Sequence, residues 1–123
     1  MPHERILVVD DSSDNLRLTQ ILLESEGYDV RTAEDADQAL DLLQNYHPEL
    51  ILMDIQLPGM DGLELTRRLR QIPALTGIRI VALTAYAMPR DEANALDAGC
   101  NGYIIKPIDT RAFPILIRSY LSS

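Results

Sequence analysis

Cysteine is all but missing from this chain. Cys100 is the only one, so no internal disulfide can form, and the composition fits a reducing compartment. Long apolar runs are missing too: none approaches the roughly 18–20 residues needed to span a bilayer. Near the N-terminus Arg5 precedes a short apolar stretch that Asp10 and Asp11 cut off, which is not the pattern of a signal peptide. Basic residues are in deficit, with 11 Lys and Arg against 19 Asp and Glu. The net charge of -8 argues against duplex nucleic acid, whose phosphates select Lys and Arg. Low-complexity tracts, linkers and sequence repeats are absent. The expectation is a cytoplasmic protein with neither membrane nor nucleic acid among its partners, which are proteins or small ligands.

The 123 residues, 46% apolar and 24% charged, read as one globular domain over residues 1–123 with its own hydrophobic core. Four runs have the length and β-branched content of buried strands: Ile6–Val9, Leu50–Met53, Ile80–Leu83 and Tyr103–Ile105, with a weaker one at Tyr28–Thr32. Continuous apolar character, without alternation, predicts strands covered on both faces, as in a parallel sheet wrapped by helices. Between them, Ala36, Ala39, Leu40 and Leu43 repeat at helical spacing, as do Phe113, Leu116, Ile117 and Tyr120. Leu18, Ile21 and Leu22 form a shorter inward face before Gly27, the expected helix stop. Asp61 with Glu64 and Asp35 with Gln38 have capping-box spacing, and Pro89 and Gly99 suit the start and end of another helix. Five strands alternating with five helices predict a doubly wound α/β fold.

A few residues read as structural. Pro114 falls four or five residues after a cap at Asp109 or Thr110, which predicts an irregular first turn or a late start for the last helix. Arg67, Arg68 and Arg70 are expected on the solvated face of the third helix, with Leu65 and Leu69 inward. Cys100 reads as a small core residue, and His3 and His47 as surface residues without metal-ligand spacing.

The segment "ELILMDIQLPGMDG" runs a buried strand out to a carboxylate, Asp54, and then into a loop marked by Pro58, Gly59 and Gly62. In an open parallel sheet, ligands sit beyond the carboxyl ends of the strands. The first strand ends in Asp10 and Asp11, the third in Asp54 and the fourth in Thr84; the fifth is followed by Lys106 and Pro107. Taken singly, Asp10 with Ser12 and Ser13 reads as a helix cap, Thr84 as a strand residue and Lys106 as a surface lysine. If strands one, three, four and five are neighbours, all of them converge on one edge. Two unit charges ~4 Å apart repel by about 4 kcal/mol at an effective dielectric near 20. Unaided, at least one of a cluster of aspartates would take up a proton; a divalent cation removes the conflict, and hard oxygen ligands in this number favour Mg²⁺. Two cations and a hydroxyl around a carboxylate suit phosphoryl oxygens.

The segments "ILVVDDSSDN", "LILMDIQLPGMDGLE", "IVALTAYAM" and "GYIIKPI" stand in the order and roughly the spacing of the response-regulator receiver domain, the phosphoacceptor module of two-component signalling. The resemblance runs from Arg5 to Leu121. Within the family, "MDIQLPGMDGLE" and "GCNGYIIKPI" look most like receivers attached to hybrid kinases and single-domain regulators of the bacterial cell-cycle type. The resemblance implies a flavodoxin-like, five-stranded parallel sheet of order 2-1-3-4-5 with five helices. It implies that Asp54 accepts a phosphoryl group from the phosphohistidine of a histidine kinase or histidine phosphotransfer protein. Mg²⁺ would be bound by Asp11 directly, with Asp10 helping, and by Asp54 and the backbone carbonyl of Gln56. Lys106 would hold a phosphoryl oxygen, and the Lys106–Pro107 peptide would be cis.

Thr84 and Tyr103 match the hydroxyl and aromatic positions that respond to phosphorylation, although Tyr103 also reads as an ordinary sheet-edge aromatic. Thr84 would move to bond a phosphoryl oxygen, and the Tyr103 ring would take the space vacated. The surface of the fourth helix, fifth strand and fifth helix would change with it, making Arg90 to Asp97, Tyr103 and Arg111 to Tyr120 the expected footprint of a downstream effector. Nothing in the 123 residues reads as an output domain, so the signal is expected to pass through another protein. The chain is not expected to be an enzyme beyond its own phosphorylation and dephosphorylation. Two other readings compete. A flavodoxin-like cofactor binder would want a Ser-, Thr- and Gly-rich loop where "DDSSDN" repels phosphate. An aspartyl-phosphate phosphatase of the haloacid dehalogenase class would want a second aspartate where Gln56 stands. Gln56 and Tyr86 lie where they could screen an acyl phosphate from water.

Overall fold

The fold follows from side-chain alternation within five short strands: β1 (Arg5–Val9), β2 (Asp29–Ala33), β3 (Leu50–Asp54), β4 (Arg79–Thr84) and β5 (Gly102–Ile105). In this computed structural model, which describes residues 4–57, 59–85 and 89–122, all pair in parallel in the order β2-β1-β3-β4-β5. Successive side chains of a strand point to opposite faces. Ile6, Val8, Leu50, Leu52, Val81 and Leu83 therefore share one face, where they pack with Leu16 and Leu23 of α1 (Ser13–Ser25) and Phe113 and Ile117 of α5 (Phe113–Ser122). Leu7, Val9, Ile51, Met53, Ile80 and Ala82 share the other. That face is covered by α2 (Ala36–Leu43), α3 (Gly62–Arg70) and α4 (Pro89–Ala98), through Ala39, Leu43, Leu65, Leu69 and Ala95. The central strands β1, β3 and β4 read as unbroken apolar runs because both of their faces are dry, whereas the edge strand β2 leaves Asp29 and Arg31 exposed. Strand order reverses between β1 and β3, so their carboxyl ends flank a crevice at the topological switch point.

The connections use local chemistry visible in the sequence. Asp35 Oδ1 accepts from the Gln38 N–H at 2.8 Å while Gln38 Oε1 accepts from the Glu34 N–H at 3.0 Å; Asp61 Oδ1 accepts from the Glu64 N–H at 2.8 Å. Ser12, not Asp10, caps α1, with Oγ 3.4 Å from the Asn15 nitrogen. The last helix starts late: Asp109 Oδ1 caps a preceding turn through the Arg111 and Ala112 N–H groups, at 2.9 and 3.3 Å, and α5 begins at Phe113. Pro114 thus falls in the first helical turn, where its missing N–H costs nothing. Cys100 is buried and His47 exposed. His3, Pro58 and Tyr86 lie outside the described residues. Among the described residues no helix is long and apolar enough to cross a membrane.

Two expectations fail. The inward face of α1 is Leu16, Thr19 and Leu23, whereas Leu18 and Ile21 are 41% and 56% exposed. The helix carries five aliphatic residues on more than one face, and only the sheet decides which stripe is buried. Arg70 does not join Arg67 and Arg68 on the solvated face of α3; it is half-buried, and its guanidinium donates to backbone carbonyls of two loops. A short 3-10 helix, Pro73–Leu75, also enters between α3 and β4 and buries Leu75.

The inward assignment predicts a contrast in urea denaturation. Phe113→Ala, which empties a fully buried site, should cost about 3–5 kcal/mol. Ile21→Ala should stay within about 0.5 kcal/mol of the parent.

Candidate functional site

Three backbone arrangements aim the polar residues at the crevice. At the end of β1, the Asp10 N–H still donates to Ala33 O of β2, and Asp10 Oδ1 accepts from the Ser12 N–H at 2.9 Å. At the end of β3, Ile55 N–H donates to Leu83 O and Gly62 N–H donates to Ile55 O, which draws the start of α3 against the backbone of Asp54. A Cβ at position 62 would stand 2.1 Å from the Asp54 carbonyl oxygen, so only glycine permits this approach. Beyond β5, Lys106 N–H donates to Thr84 O, and the Lys106–Pro107 peptide is cis.

The side chains then meet. Lys106 Nζ lies 2.9 Å from Asp10 Oδ2 and 3.1 Å from Asp54 Oδ2. The other Asp54 oxygen accepts from the Gln56 N–H at 3.0 Å. Asp10 and Asp54 are buried, Asp11 is exposed, and carboxylate oxygens from the three lie within 4.8 Å of one another. Thr84 is buried at the carboxyl end of β4, paired in register with Ile105, the residue before Lys106. Tyr103 is half-buried and packs against the same sheet face as Ile80 and Ala82, the face to which alternation also assigns Thr84. The side chain of Gln56 is exposed.

Electrostatics make this cluster short of positive charge. Burial pushes the Asp54 carboxyl above its ordinary value and the neighbouring Asp10 pushes the same way; the Gln56 N–H and the Lys106 ammonium oppose them. Burial pulls Lys106 down, but its bonds to Asp10 and Asp54 outweigh this and hold it above its usual range, firmly charged. One ammonium cannot balance three carboxylates. The donor set fits a hard divalent ion: it is all oxygen, it includes the exposed Asp11, and Asp10 already accepts a donor on each oxygen. Magnesium, which keeps most of its waters, suits two or three carboxylates better than calcium does.

Asp10, Asp11, Asp54 and Lys106 are thus brought together, with Thr84 beside them. Reading residue by residue passed over two signals. Lys106 is the only lysine among eleven basic residues, the others all being arginine. A compact ammonium fits between two carboxylates where a planar guanidinium fork does not. The role of Gly62 also went unread, because nothing in the sequence shows which backbone its Cα meets. Beside Lys106 lies a cavity of about 340 Å³, lined by Asn15, Leu18, Ala85, Pro107 and Ile108 as well as Lys106 itself.

Comparison with known proteins points one way. Residues 6–118 match the family described as the response regulator receiver domain. The polar-differentiation response regulator DivK of Brucella ovis is 42% identical over 116 residues, 94% of each chain. A CheY-like response regulator receiver domain protein from Methanospirillum hungatei superposes with a TM-score of 0.89 at 35% identity, covering 98% of this chain and 94% of its own. The receiver domain of a sensor histidine kinase from Pseudomonas aeruginosa gives 0.89 at 33% identity, covering 98% and 99%, and has a magnesium ion coordinated in its active site cleft.

The charge conflict predicts a stability signature. Because folding raises the proton affinity of Asp54 above its ordinary value of 3.8, the folded state binds more protons than the unfolded chain just above that pH. Stability is therefore lost as pH rises through that window, and stays lost at neutral pH. In chelator at pH 7, Asp54→Asn, which keeps the shape and an acceptor for the Gln56 N–H, should melt above the parent. The gap should close below pH 3.8. An unchanged or lowered midpoint at pH 7 would contradict the account.

Proposed function

This chain belongs to the response regulator receiver domain family, and on that premise we propose that Asp54 is the phosphoryl acceptor of a signalling switch. The acidic pocket of Asp10, Asp11 and Asp54 fits magnesium and the acceptor role. The observation that carries the assignment is the position of Lys106, bonded at once to buried Asp10 and buried Asp54.

The chemistry asks little of the protein beyond alignment and charge. A carboxylate oxygen of Asp54 attacks the phosphorus of a phosphohistidine; the new O–P bond forms as the P–N bond breaks, and the imidazole leaves with the bonding pair. Magnesium held by Asp11 and Asp54, with Asp10 and the carbonyl of Gln56 assisting, would draw charge from the phosphoryl oxygens. The Gln56 N–H holds one Asp54 oxygen and so limits rotation of the carboxylate. The Lys106 ammonium stays tethered by Asp10 and turns to a phosphoryl oxygen as Asp54 becomes an acyl phosphate, a mixed anhydride. No second aspartate stands two residues after Asp54 to activate water, which supports a persistent acyl phosphate over phosphatase turnover. A flavodoxin-like cofactor role is disfavoured by the two carboxylates of Asp10 and Asp11 where a phosphate cradle would be needed.

Receiver domains of this kind work with histidine kinases and downstream effectors. A donor histidine would reach Asp54 past the cavity beside Lys106, where Leu18 and Ile21 present an exposed apolar face of α1. Thr84 and Tyr103 would report phosphorylation to the face made by α4, β5 and α5, a face on which Leu96, Ile105 and Ile115 are exposed. Residues 1–123 would act as one receiver unit in the cytoplasm, with catalysis confined to its own phosphorylation and dephosphorylation.

Incubation with a small acyl phosphate and Mg²⁺ should add one phosphoryl group by intact mass, and Asp54→Asn or chelator should abolish it. A phosphoryl group retained in Asp54→Asn would refute the assignment. Thr84→Ala should still take up phosphate, at a rate within about tenfold of the parent, a span of 1.36 kcal/mol in barrier. Its effector binding should no longer respond to phosphate.

A further inference from the structure

α4 is held very unevenly. Arg90, Glu92, Ala93 and Asn94 are exposed and Asp91 is only half-buried, so no described side chain in the first half of the helix is buried. Ala95 and Ala98, in the second half, are the buried ones. Alanines contribute little packing area, and the helix has no large apolar anchor among its described residues.

Its C-terminal end, by contrast, is buckled to α3 and β4. Gly99, at a φ of +111°, turns the chain so that its carbonyl accepts from Arg70 Nε at 2.9 Å. The same guanidinium donates to Ile78 O at 2.6 Å, to Thr76 O at 3.2 Å and to Asn101 Oδ1 at 2.7 Å. Asn101 Oδ1 also accepts from the Ile80 N–H at 2.8 Å, and the Asn101 N–H donates to Ile80 O. A Cβ at position 99 would stand 2.7 Å from Arg70 Cγ, so the glycine lets the arginine lie directly on the turn. Arg70 thus ties the end of α3, the entry to β4 and the α4–β5 turn into one knot, at the sheet edge opposite the acidic site.

We propose that the Arg70–Gly99–Asn101 knot is a fixed pivot, so that α4 answers a change at the acidic site by tilting about its C-terminal end. The inference rests on the reading of Asp54 as phosphoacceptor and adds the mechanical route of its signal. A helix of this length spans about 15 Å, so a tilt of ~10° would move its N-terminal end by about 2.6 Å while the pinned end stays put. The knot leaves the loose end free to respond and denies the helix the alternative of sliding along the sheet.

Backbone amide NMR with beryllium fluoride and Mg²⁺ as the phosphoryl mimic tests this. In the parent, the Gln56 amide reports occupancy at Asp54, amides of Asp91 to Asn94 shift, and those of Gly99 to Asn101 stay in place. In Arg70→Ala the shifts spread through Gly99 to Asn101. Without any mimic, Arg70→Ala should also speed hydrogen exchange at the Cys100 amide, bonded to Ala95 O, by about tenfold or more relative to the β1 amides, which report global opening. Shifts at Gly99 to Asn101 in the parent as large as those at Asp91 to Asn94 would overturn the pivot. So would Cys100 exchange that tracks β1 in the variant. Failure of Gln56 to respond counts against the phosphoacceptor reading, and the pivot is then decided by the exchange measurement.

Discussion

The ammonium of Lys106, 2.9 Å from Asp10 and 3.1 Å from Asp54, is the interaction on which the rest of this site depends. Two carboxylates with almost no access to water would otherwise exclude one another's charge. The lysine makes their proximity tolerable without cancelling it, because Asp11 adds a third negative group within 4.8 Å. What remains is a standing demand for positive charge at the tips of β1 and β3. That demand is chemically useful: a pocket short of cations holds a metal, and through it the oxygens of a phosphoryl group.

The fold bears the cost of this arrangement elsewhere. Strands with both faces buried hold the crevice walls rigid, with Phe113 and Ile117 packed on one side and Leu65 and Leu69 on the other. Gly62 lets α3 press against the acceptor's own backbone, so Asp54 is supported from behind by a helix as well as by the sheet. α4 departs from this tight packing, having only two alanines as buried anchors among its described residues. Rigidity at the site and looseness in one covering helix are complementary properties: the first holds the chemistry in place, and the second gives it something to move.

Much of this is legible in the sequence. Unbroken apolar runs such as Leu50–Met53 announce a strand buried on both faces, and carboxylates at the ends of such runs announce a site. Caps at Asp35 and Asp61 and the late start before Pro114 follow from local backbone chemistry, which acts over a few residues and so stays visible in them. Leu18, Ile21 and Arg70 were misplaced for one shared reason. A helix with aliphatic residues on two faces has no internal preference between them, and the sheet settles it by burying Leu16 and Leu23. An arginine close to two others, as Arg70 is to Arg67 and Arg68, looks solvated until loops distant in sequence supply carbonyls for it.

The sequence by itself determined the strands, the helix starts and the family, because periodicity, capping and motif spacing are local and add along the chain. It also supplied the residues of the site, including its sole lysine. Only the tertiary structure decided which of those residues touch. Lys106 meets Asp10 across 96 positions and Asp54 across 52. Such contacts depend on strand order and on the reversal between β1 and β3, properties of how the sheet is wound that no stretch of neighbouring residues encodes.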